Sequence, residues 1–151
     1  MSKTIFLGAD HRGFQLKETI KPWLESQEYR VVDCGNDHLD VHDDYPDFAL
    51  AVATKVAAEP DQRGIIICGS GIGVSVAANK VDGIRATVGT SPDEIKKGRQ
   101  DDDLNILTLS ADFVSVEQAK ALITAFLNTN YSAEERHVRR LAKIQAYELR
   151  A

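Results

Sequence analysis

The 151-residue chain is 43% hydrophobic and 27% charged with a net charge of −5, which predicts a single globular domain over residues 1–151. The acidic balance excludes a broad nucleic-acid surface, and no apolar run approaches the roughly 18 residues of a membrane span. Two cysteines, Cys34 and Cys68, are too few for a disulfide framework or a zinc ligand set, so the reading is a cytoplasmic protein with free thiols and no secretory leader.

Strand-like and helix-like segments alternate along the chain. "TIFLGA" (4–9) is short and β-rich, as a buried strand is. "RGFQLKETIKPWLESQ" (12–27) spaces Phe14, Leu16, Ile20, Trp23 and Leu24 helically, with Pro22 predicted to kink or break it. "YRVVDCG" (29–35) is a second strand, followed by the polar loop "NDHLDVHDDYP". His38 and His42 in that loop sit among acids, but no helical pattern fixes both rings on one face. A polar active-site loop is therefore preferred there to a metal site.

Pro46 opens the next helix, which stops before Pro60. "RGIIIC" (63–68) is the third strand, "GVSVAANKV" (73–81) the third helix, and "GIRATVG" (83–89) the fourth strand. Ser91 caps "SPDEIKKGRQ", with Pro92 at its first position. "NILTLS" (105–110) is the fifth strand, and Ser115 caps the helix to Asn128. Ser132, with Glu135 three residues on, predicts a capping box for a final basic helix.

That alternation implies an α/β fold: a Rossmann-like three-layer αβα sandwich with a mostly parallel five-stranded sheet and an extra C-terminal helix. Ligands of such sheets lie beyond the carboxyl ends of the strands. The residues there are Asp10 and His11, Asp33 to Gly35, Cys68 to Gly73, and Gly89 to Ser91.

The stretch "CGSGIG" (68–73) is the most informative. Glycines between a strand and a helix let backbone N–H groups face an anion, either a phosphate or an oxyanion formed in a reaction. The run lacks the Gly-Lys-Ser/Thr ending of a P-loop, and its third glycine falls one residue early for the dinucleotide fingerprint. Two readings of Cys68 stand at this point. It is either a small core residue ending a strand, or a thiolate held by the helix start, able to act as nucleophile or base.

Five stretches together resemble the ribose-5-phosphate isomerase B / galactose-6-phosphate isomerase family: "GADHRGFQLK", "DYPDFA", "GIIICGSGIGVSVAANKVDGIRA", "LNILTL" and "ERHVRR". The resemblance implies an isomerase that moves a proton between adjacent carbons of a sugar phosphate through an enediolate, with no metal or other cofactor. Ribose 5-phosphate/ribulose 5-phosphate is the favoured pair. By the same resemblance Cys68 is the base, and Ser70 with the N–H groups of Gly69, Gly71, Ile72 and Gly73 forms the anion hole. One branch of the family places a Glu base where this chain has Val74, so this chain is of the cysteine type. Asp10, His11 and Tyr45 match substrate-pocket positions. Arg136, His137 and Arg140 match phosphate-binding positions on the last helix, usually serving the partner subunit's site. The family forms homodimers, sometimes dimers of dimers.

Two positions depart from the family pattern. "RQDDDLN" (99–105) puts Asp101 where the family has a ring-opening histidine and Asp102 where it has an asparagine; "LSADFV" puts Asp112 where it tends to have a phosphate-binding arginine. A carboxylate about 4 Å from a phosphate costs on the order of 1–4 kcal/mol at a partly solvated site. Three explanations follow: a substrate that needs no ring opening, such as a tetrose phosphate; a homologous partner subunit that supplies the missing groups, as for a hexose phosphate; or Asp101 itself accepting the ring proton. Outside enzymology, the alternative is a non-catalytic sugar-phosphate binding subunit. The plain alternative for Asp101–Asp103 is a solvated charge run.

Overall fold

The computed structural model describes residues 3–151. Five strands, β1 (Thr4–Ala9), β2 (Arg30–Asp33), β3 (Arg63–Cys68), β4 (Ala86–Val88) and β5 (Ile106–Ser110), form one sheet in the order β2-β1-β3-β5-β4. Every pairing is parallel. The described residues also form six helices: α1 (Phe14–Ser26), α2 (Tyr45–Ala58), α3 (Ile72–Ala78), α4 (Pro92–Asp102), α5 (Val116–Asn128) and α6 (Glu135–Glu148). No helix is long and apolar enough to cross a membrane among the described residues.

The three layers follow from the period of two along the strands. Ile65 and Ile67 of β3 face one way and pack with α1, α4 and α5 around Ile20, Ile95 and Phe126. Ile66 and Cys68 face the other way and pack with α2 and α3 around Val52 and Val74. β1 and β3 are neighbours, yet the chain leaves β1 toward β2 and leaves β3 toward the β4–β5 side. Such a reversal opens a crevice beyond the carboxyl ends of the two strands, and Asp10 and Cys68 lie at those ends.

Three local expectations give way to tertiary structure. Pro22 does not end α1, which continues to Ser26. Pro22 and Glu18 are both exposed, so the carbonyl that loses its donor stays in water. Ser132 forms no capping box. Its hydroxyl donates to the carbonyl of Gln100 at 2.9 Å, and α6 begins after Glu134 with no side-chain cap. Docking on α4 thus outcompetes the local motif. α4 also runs two residues beyond the expected end, so Asp101 and Asp102 are helical and Asp103 stops the helix in the left-handed region, at φ 48°. The caps at Ser91 and Ser115 form as read, the latter as a full capping box with Gln118.

Candidate active site

Cys68 ends β3 and is 5% exposed. Its sulfur packs within the α2–α3 core, and at the same time the Gly71 N–H points at it from 3.2 Å. Cys68 is thus a core position whose sulfur meets a backbone donor. Gly71 makes this possible. Its φ is +74°, a conformation side chains rarely adopt, and a Cβ there would lie 3.0 Å from the Leu109 backbone. Thr108, buried on β5, donates to the Gly71 carbonyl at 2.8 Å and fixes the turn.

The next N–H groups divide into used and unused. Ile72 N–H donates to the Ser70 hydroxyl at 3.2 Å. Gly73 and Val74 occupy the second and third positions of α3, before the first intrahelical bond from Ser75 to Gly71, and their N–H groups meet no acceptor among the described residues. First-turn donors of this kind are the ones a bound anion satisfies. Tyr45, in the first turn of α2, lays its ring against Gly73, where a Cβ would come within 2.7 Å of the ring.

Asp10 and His11 extend from β1 beside this loop. Asp10 is buried, and its Oδ1 accepts the N–H groups of Arg12 and Gly13 at 3.0 and 3.1 Å, turning the chain into α1. Asp43 then clamps His11. One carboxylate oxygen accepts the His11 backbone N–H at 2.9 Å and faces ring Nδ1 at 2.8 Å; the other accepts from Asn36 at 3.1 Å. A carboxylate only accepts, so Nδ1 carries hydrogen, and Nε2 has no partner among the described residues. The hydrogen bond to Asp43 raises the imidazole above its ordinary value, burial opposes the rise, and the charges of Asp10 and Asp43 add to it. His38 and His42 remain exposed. The group with metal-ligating atoms within 4.8 Å is instead Asp10, His11 and Asp43, and the hydrogen bonds above already engage it.

Arg12 is a residue the sequence reading passed over. Its guanidinium crosses Gly69 so closely that a Cβ there would clash with Cζ, and it forms an ion pair with Asp112. The carboxylate expected to repel an anion is thus met by a cation lying over the glycine loop. Arg12 and Asp112 are 100 positions apart, so only the fold reveals the pair. Asp43 lies in the polar loop of the sequence, and its hold on His11 spans 32 residues. Cys34, half-buried, donates weakly to the Val32 carbonyl at 3.7 Å, and burial pushes its thiol up.

The remaining residues of interest lie elsewhere. Asp101 and Asp102 end α4, next to the amino ends of the strands: Arg85, just before β4, donates from Nε to the carbonyls of Asp102 and Asp103. β3 alone spans roughly 17 Å, so this group lies across the sheet from Cys68. Asp101 pairs with Lys97 and with Nε2 of buried His137, both at 3.3 Å. Asp103 binds Arg99 at 2.8 Å and Arg85 at 3.4 Å. Neither residue belongs to a solvated run, whereas Asp102 is exposed. Arg136 pairs with Glu134, and Arg140 stands exposed on α6. One chain therefore brings together Asp10, His11, Tyr45 and residues 68–73, and gathers Asp101, Asp102, Arg136, His137 and Arg140 at the opposite edge.

Similarity to known proteins bears on the whole chain. The profile of the family described as Ribose/Galactose Isomerase matches residues 5–144. A probable ribose-5-phosphate isomerase B of Mycoplasma genitalium is 43% identical over 149 residues, covering 98% of this chain and 97% of the relative. The ribose-5-phosphate isomerase B of Escherichia coli K12 is 40% identical, covering 98% of each. A crystal structure of the Mycoplasma genitalium enzyme with bound ribulose-5-phosphate superimposes with a TM-score of 0.95 at 42% identity, over 100% of this chain and 99% of the other.

Proposed function

The chain belongs to the ribose/galactose isomerase family, and from that premise we propose that it interconverts ribose 5-phosphate and ribulose 5-phosphate by proton transfer through an enediolate. The observation that supports this reading best is the sulfur of Cys68 beside a turn whose next helix start leaves two N–H groups unspent. In the open-chain aldose the Cys68 thiolate takes the proton on C2. The C2–H electron pair forms the C1–C2 double bond, and the carbonyl π pair moves onto O1. Charge growing on that oxygen meets the Gly73 and Val74 N–H groups and the Ser70 hydroxyl, donors already oriented before the reaction. With the proton of the C2 hydroxyl moved to O1, return of the proton from sulfur to C1 gives the ketose. Asp10, His11 and Tyr45 hold the sugar hydroxyls.

The phosphate and the ring-opening step draw on the other edge of the sheet, and a homodimer brings that edge of one subunit to the crevice of its partner. Arg136, His137 and Arg140 then bind phosphate, Asp102 contacts the sugar, and Asp101 accepts the ring hydroxyl proton. Exposed apolar side chains support such a pairing: Ile72 and Val76 on α3, and Val138, Ile144 and Tyr147 on α6. With two free thiols, the cytoplasm is the compartment assigned.

The test is an isomerase assay on four-, five- and six-carbon sugar phosphates, with wild type and Cys68→Ala. Turnover is greatest with the five-carbon pair, and Cys68→Ala lowers kcat by about 10²–10⁴-fold while still binding substrate. A variant with undiminished turnover removes Cys68 from the chemistry.

A further inference from the structure

We propose that the amino edge of the sheet carries a second anion site, distinct from the crevice at Cys68, that takes a phosphate-class dianion against Arg63. A cavity of about 350 Å³ opens there. Its wall includes four cations, Lys3, Arg63, Arg85 and Arg99, against two carboxylates, Asp61 and Asp103, leaving two positive charges in excess. Arg85 and Arg99 are already committed: both bind Asp103, and Arg99 also donates to the carbonyls of Thr129 and Leu104.

Arg63 is not. It is 7% exposed, the one hydrogen bond of its guanidinium goes to the carbonyl of Phe126, and it pairs with no carboxylate among the described residues. It lies over the Phe126 ring, 5.4 Å from the centroid. Burial, then repulsion from Arg99, pushes its guanidinium down to about 10, against a weaker opposing pull from the Asp103 carboxylate, which Arg63 does not bind, and from Tyr29. A buried cation without a counter-charge is costly. Tyr131 also lines the cavity; its hydroxyl lies beneath the surface with no hydrogen-bond partner among the described residues.

Water does not offset a buried charge, and a dianion does. Phosphate or a phosphomonoester presents several acceptor oxygens and matches the excess of two charges, and an arginine binds it through parallel N–H groups. Such an anion also bridges Arg63 to the Arg85–Asp103–Arg99 cluster. That cluster terminates α4 directly after Asp101 and Asp102, so occupancy braces the edge assigned to the partner's substrate.

The experiment measures the rise in Tm on titration with inorganic phosphate in wild type, Arg63→Gln and Tyr131→Phe, together with the isomerase KM of each. The substrate crevice also accepts phosphate, so the difference between variants carries the test. A ligand bound only to the native state raises stability with its concentration over Kd. The rise falls by about half or more in Arg63→Gln and by less in Tyr131→Phe, while KM changes less than about twofold. An equal rise in all three chains overturns the proposal, because phosphate then acts at the substrate crevice alone. If Arg63→Gln does not fold, Arg63→Lys and Lys3→Gln replace it, with a reduced rise expected and an unchanged rise in both overturning. The same titration with glycerol 2-phosphate distinguishes a free-phosphate site, which rejects it, from a phosphoester site, which accepts it. Loss of isomerase activity in Cys68→Ala leaves these shifts in place, so the two proposals fail separately.

Discussion

The two edges of the sheet handle charge in opposite ways. At the carboxyl edge, carboxylates organise donors: Asp10 gathers backbone N–H groups, Asp43 holds an imidazole, and Asp112 holds Arg12 over the glycine loop. At the amino edge, carboxylates are spent on neighbouring side chains, Asp103 on two arginines and Asp101 on Lys97 and the His137 ring. The first edge carries a sulfur and unspent donors but little free positive charge. The second has positive charge in excess but no nucleophile. Neither is a complete site for a phosphorylated sugar, and rigid strands keep them roughly 17 Å apart within one chain. Under the proposed function, the difference implies a site built from two copies, each giving the edge the other lacks.

The largest expected effect tests that division directly. Cys68→Ala disables one edge and Arg140→Ala the other, and each variant alone is strongly impaired. Mixed and allowed to exchange subunits, they form hybrid dimers in which one site carries both substitutions and the other carries neither. Activity then recovers to a substantial fraction of wild type, measured as turnover after mixing. Should each chain complete its own site, mixing recovers nothing.

The second effect lies within the carboxyl edge. Because Asp43 raises the imidazole of His11 above 6.5, His11 holds its positive charge to higher pH than a free imidazole. The sign follows: stabilisation from this pair is fully present below the ordinary imidazole value and is lost as pH rises through the raised one. Asp43→Asn lowers the NMR titration midpoint of His11 and moves the alkaline limb of kcat/KM to lower pH with it. KM at neutral pH rises about tenfold, the loss of one charge-assisted hydrogen bond. An unmoved midpoint means that the clamp does not govern His11 in solution.

Much of this contrast could be read from sequence, and the unread part has a common cause. Strands were legible because a buried parallel strand is a short apolar run, as in "RGIIIC". Caps at Ser91 and Ser115 were legible because the donor they satisfy lies three residues away. Ser132 carries the same local signal, but a carbonyl 32 positions distant takes its hydroxyl. Asp101 and Asp103 look like a solvated acidic run until α4 extends and turns them toward His137 and Arg99. The residues of the candidate site were named largely by resemblance to a family. That gave identities but not the partition between two edges, because order along the chain does not state which end of a strand a residue occupies until the crossovers are drawn. Arg12 and Asp43 escaped because the partners that give them meaning are 100 and 32 positions away.

The smallest effect concerns Arg12 and Asp112, and its value lies in its sign. Both side chains are more than one-third exposed, so the pair contributes only about 0–1 kcal/mol to stability, and neither single variant shifts Tm much. Substrate affinity is the sharper readout. Arg12→Ala removes the cation over Gly69 and leaves the Asp112 carboxylate facing the anion loop, so KM rises by about three- to tenfold, the lower part of the range for a screened charge near 4 Å. Asp112→Asn does the reverse: it frees the guanidinium to meet substrate phosphate, and KM stays level or falls. The double variant lies between the two, nearer wild type than Arg12→Ala, because the repulsive carboxylate is gone with the cation. If both single substitutions raise KM equally, the pair is a structural strut, and the positive charge over the glycine loop plays no part in holding the anion.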